Sequence, residues 1–176
     1  EVDTFISVTG VPPVPDDAPA PGVMFSLQDD FDLVDYLRTV VPADKPSMLI
    51  VADNDIVVPP YFGPPVYDWL APPKRYVELA DTGHNFLQDA CVLIQEQGGL
   101  QALADAFGLD REDPLIQAAE DGCLPEDAPV ESVVAIWNHL TVAHLNWVFD
   151  IDGDLAAASL EANYLDTMFP ERMVEY

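Results

Sequence analysis

Short apolar runs, separated by polar turns and proline-rich segments, recur along this chain. Three of them are rich in β-branched and aromatic residues and stop at a turn signal: VDTFISV (residues 2–8), MLIVA (48–52) and RYVEL (75–79). Runs of this length and composition predict β-strands. MLIVA is apolar at every position, a pattern typical of a strand that is buried on both faces of a parallel sheet.

Apolar residues at helical spacing occupy much of the remaining chain. They predict helices over residues 29–41, 65–70, 90–107 (with a break at Gly98 and Gly99) and 129–149. The last helix is the longest, and one of its faces carries Val133, Ile136, Trp137, Leu140, His144 and Trp147. Strands and helices alternating in this order predict an α/β fold, with about three parallel strands and flanking helices.

Two segments contain too many turn-forming residues for a regular element. In residues 12–22 (PPVPDDAPAPG), six of eleven residues are proline or glycine, so we expect a surface loop or lid. The second segment, residues 113–129, includes EDGCLPEDAP and is also predicted to be a loop.

Length and composition fit a single domain portion over residues 1–176. With 49% hydrophobic residues, the chain can bury a sizeable core. No apolar run approaches the roughly 20 residues that a membrane-spanning helix needs. The 32 acidic residues outnumber the six basic ones and give a net charge of −26. This charge argues against binding to nucleic acid or to an anionic membrane, because both require a surface rich in lysine and arginine.

The two cysteines, Cys91 and Cys123, are 32 positions apart. They do not form a CxxC pair and have no second histidine close by, so a zinc site is a weak interpretation. Two buried free thiols are an alternative to a disulfide. We favour the disulfide, because it would close a loop rich in glycine, proline and aspartate and stabilise the fold by about 3 to 4 kcal/mol.

Two features indicate export. The chain begins at Glu1, with neither an initiator methionine nor a basic and apolar leader, and we expect a processed or truncated terminus. A disulfide would persist in an oxidising compartment. Together they predict a secreted, extracellular protein.

The remaining histidines and acidic turns do not predict a metal site. His139 and His144 are five positions apart on the longest predicted helix, about 140° around its axis, so they cannot share a metal ion. We expect His144, on the apolar face, to be a hydrogen-bonded core residue and His139 to be solvated. The DIDGD turn at residues 150–154 resembles a calcium loop but lacks the bidentate glutamate, so we expect a plain acidic turn.

Polar residues directly follow two of the predicted strands. Asp53 and Asp55 come after MLIVA, and His84 comes after RYVEL. Functional residues of open α/β sheets lie beyond the carboxyl ends of the strands. If these two strands are neighbours, a carboxylate can reach the imidazole and form the acid–base pair of an acyl-transfer triad. Taken singly, the aspartates would be turn formers or helix caps, and the histidine a hydrogen-bonded loop residue.

The residues around this pair resemble the C-terminal half of the α/β-hydrolase superfamily. The matching stretches are KPSMLIVADNDIVVPP, the region of Tyr67 and KRYVELADTGHNF, within residues 45–87. The resemblance is to the secreted cutinase, polyester hydrolase, dienelactone hydrolase-like and platelet-activating-factor acetylhydrolase-like esterases. It implies that Asp55, rather than Asp53, is the catalytic acid, that His84 is the catalytic base, and that no cofactor or metal ion is required.

Those enzymes carry their nucleophile in a G-x-S-x-G elbow between a strand and a helix, and this chain contains no such elbow. None of its five serines lies between glycines at that spacing: Ser7, Ser26, Ser47, Ser132 and Ser159. We therefore expect an N-terminal segment or a second polypeptide to carry the nucleophilic serine and the oxyanion donors. It would also cover the apolar parallel edge that an incomplete sheet exposes.

The sequence thus predicts a secreted carboxylic ester hydrolase of the serine type, acting on a small-molecule or lipid ester. Tyr61 and Trp69, near the Asp55 loop, are candidates for lining an acyl or alcohol pocket, although surface aromatics at helix ends are as common. Two alternatives stay open. One is a dienelactone hydrolase-like enzyme with a cysteine nucleophile upstream, and the other is a non-catalytic interaction or structural subunit that keeps the hydrolase scaffold.

Overall fold

A four-stranded sheet in the order β1-β2-β3-β4 organises the chain. Its strands are β1 (Phe5–Val8), β2 (Ser47–Ala52), β3 (Lys74–Leu79) and β4 (Met173–Glu175). The first three run parallel, and β4 pairs antiparallel with β3. The three predicted strands are therefore confirmed, within a few residues at their starts, as neighbours in a parallel arrangement. The short β4 was not predicted.

The computed structural model describes residues 5–8, 38–39, 44–87, 89–100, 104–105, 108, 110, 114–170 and 173–175. The predicted loop or lid at residues 12–22 lies outside them, as does nearly all of the predicted helix at 29–41. Within the described residues, one helix separates β2 from β3 and several helices follow β3, so a mixed α/β structure is confirmed at that level.

The six residues of β2 are all buried, as the uninterrupted apolar run MLIVA predicts. Alternate side chains of a strand point to opposite faces, so a strand with two buried faces requires packing layers on both sides of the sheet. Burial of each large aliphatic side chain contributes roughly 1.5–3 kcal/mol. This central strand is thus anchored by apolar packing on both of its faces.

Helices cover both faces of β2 and β3. On one face, α4 (Val130–Val148) packs against Met48, Ile50 and Leu79 through Val133, Ile136 and Leu140. On the other face, α1 (Gly63–Trp69) packs against Leu49, Val51 and Tyr76 through Val66. The result is a three-layer arrangement that fixes the direction in which the strand ends point.

The other helices partly follow the sequence pattern. The predicted helix at 90–107 begins as α2 (Asp89–Gln97), which ends where Gly98 adopts a φ of 76°. The shorter elements are α3 (Pro114–Glu120), α5 (Gly153–Ser159) and α6 (Ala162–Met168), together with a 3-10 turn at Pro60–Phe62. No described helix is both long and apolar enough to cross a membrane.

Two local expectations were wrong. Pro114 was assigned to a loop but starts α3, since proline at the first helical position lacks only an N–H that no helical bond would use. His139 was expected to be solvated. Its Nε2 lies 2.9 Å from the Ser159 carbonyl oxygen, and its ring stacks on Tyr164 at 5.5 Å.

The disulfide between Cys91 and Cys123 is confirmed, with Cα atoms 4.8 Å apart. It joins α2 to the segment between α3 and α4. Both cysteines are buried and pack against Val130 at the start of α4. The covalent link therefore ties the loop after α3 to the body of the fold.

We expect the double variant Cys91→Ser/Cys123→Ser to unfold with a free energy about 3 to 4 kcal/mol below that of the parent, because the bridge closes a long loop in the unfolded chain. Urea unfolding at a fixed pH measures this difference, and reduction of the parent protein should reproduce it. A loss below about 1 kcal/mol would contradict this role of the bridge.

His144 is fully buried on the sheet-facing side of α4, as predicted. Burial lowers its pKa from 6.5 to about 4, and the positive charge of Arg75 acts in the same direction, against a hydrogen bond to the Pro46 backbone. The unfolded chain therefore binds a proton at a higher pH than the folded protein does. The stabilising contribution is complete above the unfolded value and is lost as the pH falls towards the folded one.

The free energy of unfolding should consequently fall by about 3 kcal/mol on account of His144 as the pH drops from 6.5 to about 4. His144→Gln, which does not titrate, should remove that part of the slope. Urea unfolding of both proteins at several pH values in this range provides the comparison, and parallel pH profiles would contradict the assignment.

Candidate functional site

The loops that leave β2 and β3 lie side by side, because the two strands are parallel and end in register at Ala52 and Leu79. Backbone hydrogen bonds continue the pairing beyond the strands. The Asp53 N–H donates to the Leu79 carbonyl at 3.1 Å, and the Asn54 N–H donates to the Thr82 carbonyl at 3.0 Å. The two loops therefore enter the site as one paired unit.

Asp55 and His84 meet at the end of these loops, as the strand arrangement predicts. His84 Nδ1 lies 3.0 Å from Asp55 Oδ2. The Asp55 side chain is fully buried, whereas 27% of the His84 side chain is exposed. An ionised carboxylate only accepts hydrogen bonds, so Nδ1 carries the proton and Nε2 presents a lone pair. This arrangement can accept a proton at Nε2 while the carboxylate stabilises the resulting imidazolium.

The second oxygen of Asp55 fixes the orientation of the carboxylate. Oδ1 accepts hydrogen bonds from the backbone N–H of Val57 at 2.8 Å and of Val58 at 2.6 Å. The turn after β2 thus wraps around the carboxylate, as aspartate side chains do in turns. Because Oδ1 is occupied, Oδ2 is the oxygen left to face the histidine.

The Asp53 side chain contacts the neighbouring loop and not the imidazole. Its Oδ1 accepts a hydrogen bond at 3.1 Å from the Thr82 N–H in the neighbouring loop. It therefore holds the two loops together, and Asp55 is the aspartate in contact with the imidazole.

A further carboxylate, Asp121, lies against both loops, and the sequence did not predict it. Asp121 Oδ2 accepts a hydrogen bond from the Ile56 N–H at 2.9 Å, and its backbone carbonyl accepts one from the Asn85 N–H at 2.8 Å. The one signal in the sequence is that Asp121 lies two positions before Cys123. The disulfide from Cys123 to α2 brings this segment close to the histidine loop. Nothing else distinguishes it among 32 acidic residues.

Two glycines allow the Asp121 segment to approach the histidine loop. A Cβ atom on Gly122 would lie 2.8 Å from the carbonyl carbon of Gly83, and one on Gly83 would overlap the Asp121 carboxylate and the Gly122 nitrogen. Gly122 also has a φ of 84°, in the left-handed region that favours glycine. The Gly83–His84 and Asp121–Gly122 segments are therefore in backbone contact.

The two aromatic candidates lie in different environments. Tyr61 is in the 3-10 turn that follows the Asp55 loop, is 62% exposed, and has its ring centroid 4.4 Å from that of Phe62. Trp69 is at the far end of α1 and packs against the cluster that contains Leu49 and Leu70. Trp69 thus has a packing role, and its place at a substrate stays a prediction.

The serines with described side chains donate to nearby backbone carbonyls. Ser47 donates to Lys45, Ser132 to Pro129 and Ser159 to Ala156, each at 2.7–2.8 Å. Ser47 is the first residue of β2, whereas His84 follows the carboxyl end of β3, so the two residues lie at opposite ends of the parallel strands. The side chains of Ser7 and Ser26 lie outside the described ones. Both cysteines are in the disulfide and cannot act as a thiolate.

Among the described residues, no group of three or more histidine, cysteine, aspartate or glutamate side chains has the geometry of a metal site. The DIDGD segment spans the turn after α4 and the first two residues of α5, with positive φ angles at Asp150 and Asp152. The polar groups of the site instead contact one another and the backbone.

No protein-family model, curated protein or solved structure matches this chain in the three comparisons with known proteins. The interpretation of the site therefore rests on its geometry.

We expect Gly122→Ala to destabilise the fold by about 3 kcal/mol or more, because the added Cβ combines a left-handed backbone with a backbone overlap. Gly98→Ala is the matched control, since Gly98 has a similar φ of 76° but nothing within 4 Å of an added Cβ. It should cost only about 1–2 kcal/mol. Equal losses in urea unfolding would contradict the close contact at Gly83.

Proposed function

We propose that this chain supplies the acid and the base of a serine-type carboxylic ester hydrolase. The observation that supports the proposal is the hydrogen bond between a buried, backbone-anchored Asp55 carboxylate and a partly exposed His84 ring. This is the arrangement in which an imidazole is held in one tautomer and accepts a proton at the opposite nitrogen. Its place beyond the carboxyl ends of two parallel strands agrees with where α/β proteins hold their functional residues.

In the proposed reaction, Nε2 of His84 accepts the proton of a serine hydroxyl as the serine oxygen attacks the ester carbonyl carbon. The imidazolium, stabilised by Asp55, then donates that proton to the departing alkoxide, which leaves as the alcohol. Water next attacks the acyl-serine and transfers a proton to the same nitrogen. Return of that proton to the serine oxygen releases the carboxylic acid and restores the enzyme.

The nucleophilic serine of this reaction lies on an N-terminal segment or partner chain outside these 176 residues. Two features support that placement. The sequence contains no G-x-S-x-G elbow, and the three serines with described side chains hydrogen-bond to backbone carbonyls and not to His84. In the described sheet β1 is an edge strand, so another parallel strand can pair beside it. The chain then forms the C-terminal half of an α/β-hydrolase fold.

The proposed substrate is a neutral or apolar ester, a small molecule or a lipid. Ile56 and Leu87, which adjoin the two catalytic loops, are exposed to 56% and 39%, and Tyr61 to 62%. Exposed apolar side chains on the segments that carry the pair suit an acyl or alcohol group. The net charge of −26 disfavours an anionic substrate. The disulfide is compatible with the proposed extracellular location.

The test is turnover of a p-nitrophenyl ester by the native protein that contains this chain and its proposed nucleophile. His84→Ala should abolish turnover, and Asp55→Asn should reduce kcat by about 10³–10⁴-fold, because the imidazole then loses its orienting carboxylate. Asp53→Asn is the matched control and should have a mild effect, since its amide oxygen can still accept the Thr82 N–H bond.

Thermal unfolding of each variant shows whether the fold is retained. Unchanged turnover in a folded His84→Ala protein would overturn the proposal. A severe defect in Asp53→Asn together with a mild defect in Asp55→Asn would show that Asp53, and not Asp55, is the acid.

A further inference from the structure

One residue, Asp121, holds the backbone of both proposed catalytic loops. Its Oδ2 accepts the N–H of Ile56, the residue directly after the acid, at 2.9 Å. Its backbone carbonyl accepts the N–H of Asn85, the residue directly after the base, at 2.8 Å. These two donors belong to different loops, and Asp121 is distant from both in sequence. The residue therefore bridges three separate parts of the chain.

Hydrogen bonds, a close glycine contact and a disulfide hold the segment that contains Asp121. Its backbone carbonyl accepts the Asn85 N–H at 2.8 Å, and Asn85 Nδ2 donates to the Ala118 carbonyl of α3 at 2.5 Å. The next residue, Gly122, is in backbone contact with Gly83. Cys123 follows, and its bridge to Cys91 ties the segment to α2. The position of this carboxylate is thus set by the fold rather than by its own rotamer alone.

The placement carries an electrostatic cost. Burial raises the pKa of the Asp121 carboxyl above its ordinary value of 3.8. The negative charge of Asp55 adds to the rise, whereas the hydrogen bond from the Ile56 N–H, the backbone N–H of His84 and the charge of His84 oppose it. An aspartate with a raised folded-state pKa stabilises the fold below its unfolded pKa, and that contribution is lost as the pH rises through the folded value. At neutral pH the ionised group therefore disfavours folding.

We propose that Asp121 is a positioning residue for the catalytic pair: its carboxylate holds the backbone at Ile56 and its carbonyl holds the backbone at Asn85, so that Asp55 and the imidazole stay in hydrogen-bond contact. This inference rests on the proposed function for its catalytic meaning. A buried charge that disfavours folding is poorly explained by stability alone, and its two donors directly follow Asp55 and His84, the residues that meet at 3.0 Å. A shift of about 1 Å in such a contact can reduce a rate about a hundredfold.

The first test uses the unmodified protein. In ¹⁵N-labelled native protein, the amide protons of Ile56 and His84 should shift together as the pH is lowered, with one common midpoint above 3.8, because Ile56 donates to the Asp121 carboxylate and the His84 N–H faces the same group. Asp55 and His84 are the other titratable groups that face this carboxylate, so their side-chain signals are followed in parallel. Different midpoints for the two amides, or no shift at either, would overturn the bridge.

The second test uses a matched pair of variants. Asp121→Asn should abolish the common titration at both amides. The control is Asp127→Asn, in the same disulfide-linked segment. Burial also raises the pKa of Asp127, but its carboxylate accepts the N–H of Leu124 at 2.7 Å. The control should leave both amide titrations in place, and if it abolishes them, the assignment to Asp121 is wrong.

Kinetics then separate positioning from general stability. In the native ester hydrolase, Asp121→Asn should lower kcat about 10- to 100-fold with little change in KM, and Asp127→Asn should leave kcat unchanged. The ¹⁵N shifts of the imidazole should show a mixture of tautomers in Asp121→Asn and one tautomer in the control. If Asp121→Asn and Asp127→Asn are equally stable and lose kcat equally, the role of Asp121 is structural only.

Failure of this proposal can be told apart from failure of the proposed function. If His84→Ala keeps full turnover, the esterase assignment fails, and with it the catalytic role of Asp121, whatever the amide protons show. If His84→Ala is inactive but the two amides titrate separately, only the role of Asp121 fails.

Discussion

Parallel pairing of β2 with β3 is the constraint on which the site depends. The strands end in register at Ala52 and Leu79, so their outgoing loops start side by side at one edge of the sheet. Helices on both faces hold the two strands by burying their apolar side chains. From this scaffold, the buried carboxylate of Asp55 and the ring of His84 meet at 3.0 Å.

The segment between α3 and α4 also contacts the two loops of the site. It reaches the histidine loop through the backbone contact of Gly83 with Gly122, and the disulfide fixes it to α2. It also buries a carboxylate, Asp121, whose ionisation disfavours folding at neutral pH. If Asp121 positions the catalytic pair as proposed, its ionised carboxylate does so at a cost to the free energy of folding, as functional sites often do.

The spacing of apolar and turn-forming residues in the sequence predicted the elements whose structure depends on neighbouring residues. MLIVA and RYVEL are strands, the helix after Pro129 is α4, and the aspartate and histidine follow the strand ends as expected. The antiparallel β4 and the helix α3 were missed, because a three-residue strand is defined by its partner and a proline can start a helix as well as prevent one. Asp121 could not be found in this way, since its donor at Ile56 is 65 positions away.

The proposed proton transfer requires a nucleophile that only His84 activates, and covalent labelling reports on it directly. Native protein containing this chain is treated with a fluorophosphonate, and the modified residue is located by mass spectrometry, alongside His84→Ala as the comparison. Our interpretation predicts an adduct on one serine outside these 176 residues, formed rapidly in the parent and lost in the variant. No adduct on any polypeptide, or an adduct that forms equally fast without the imidazole, would contradict it.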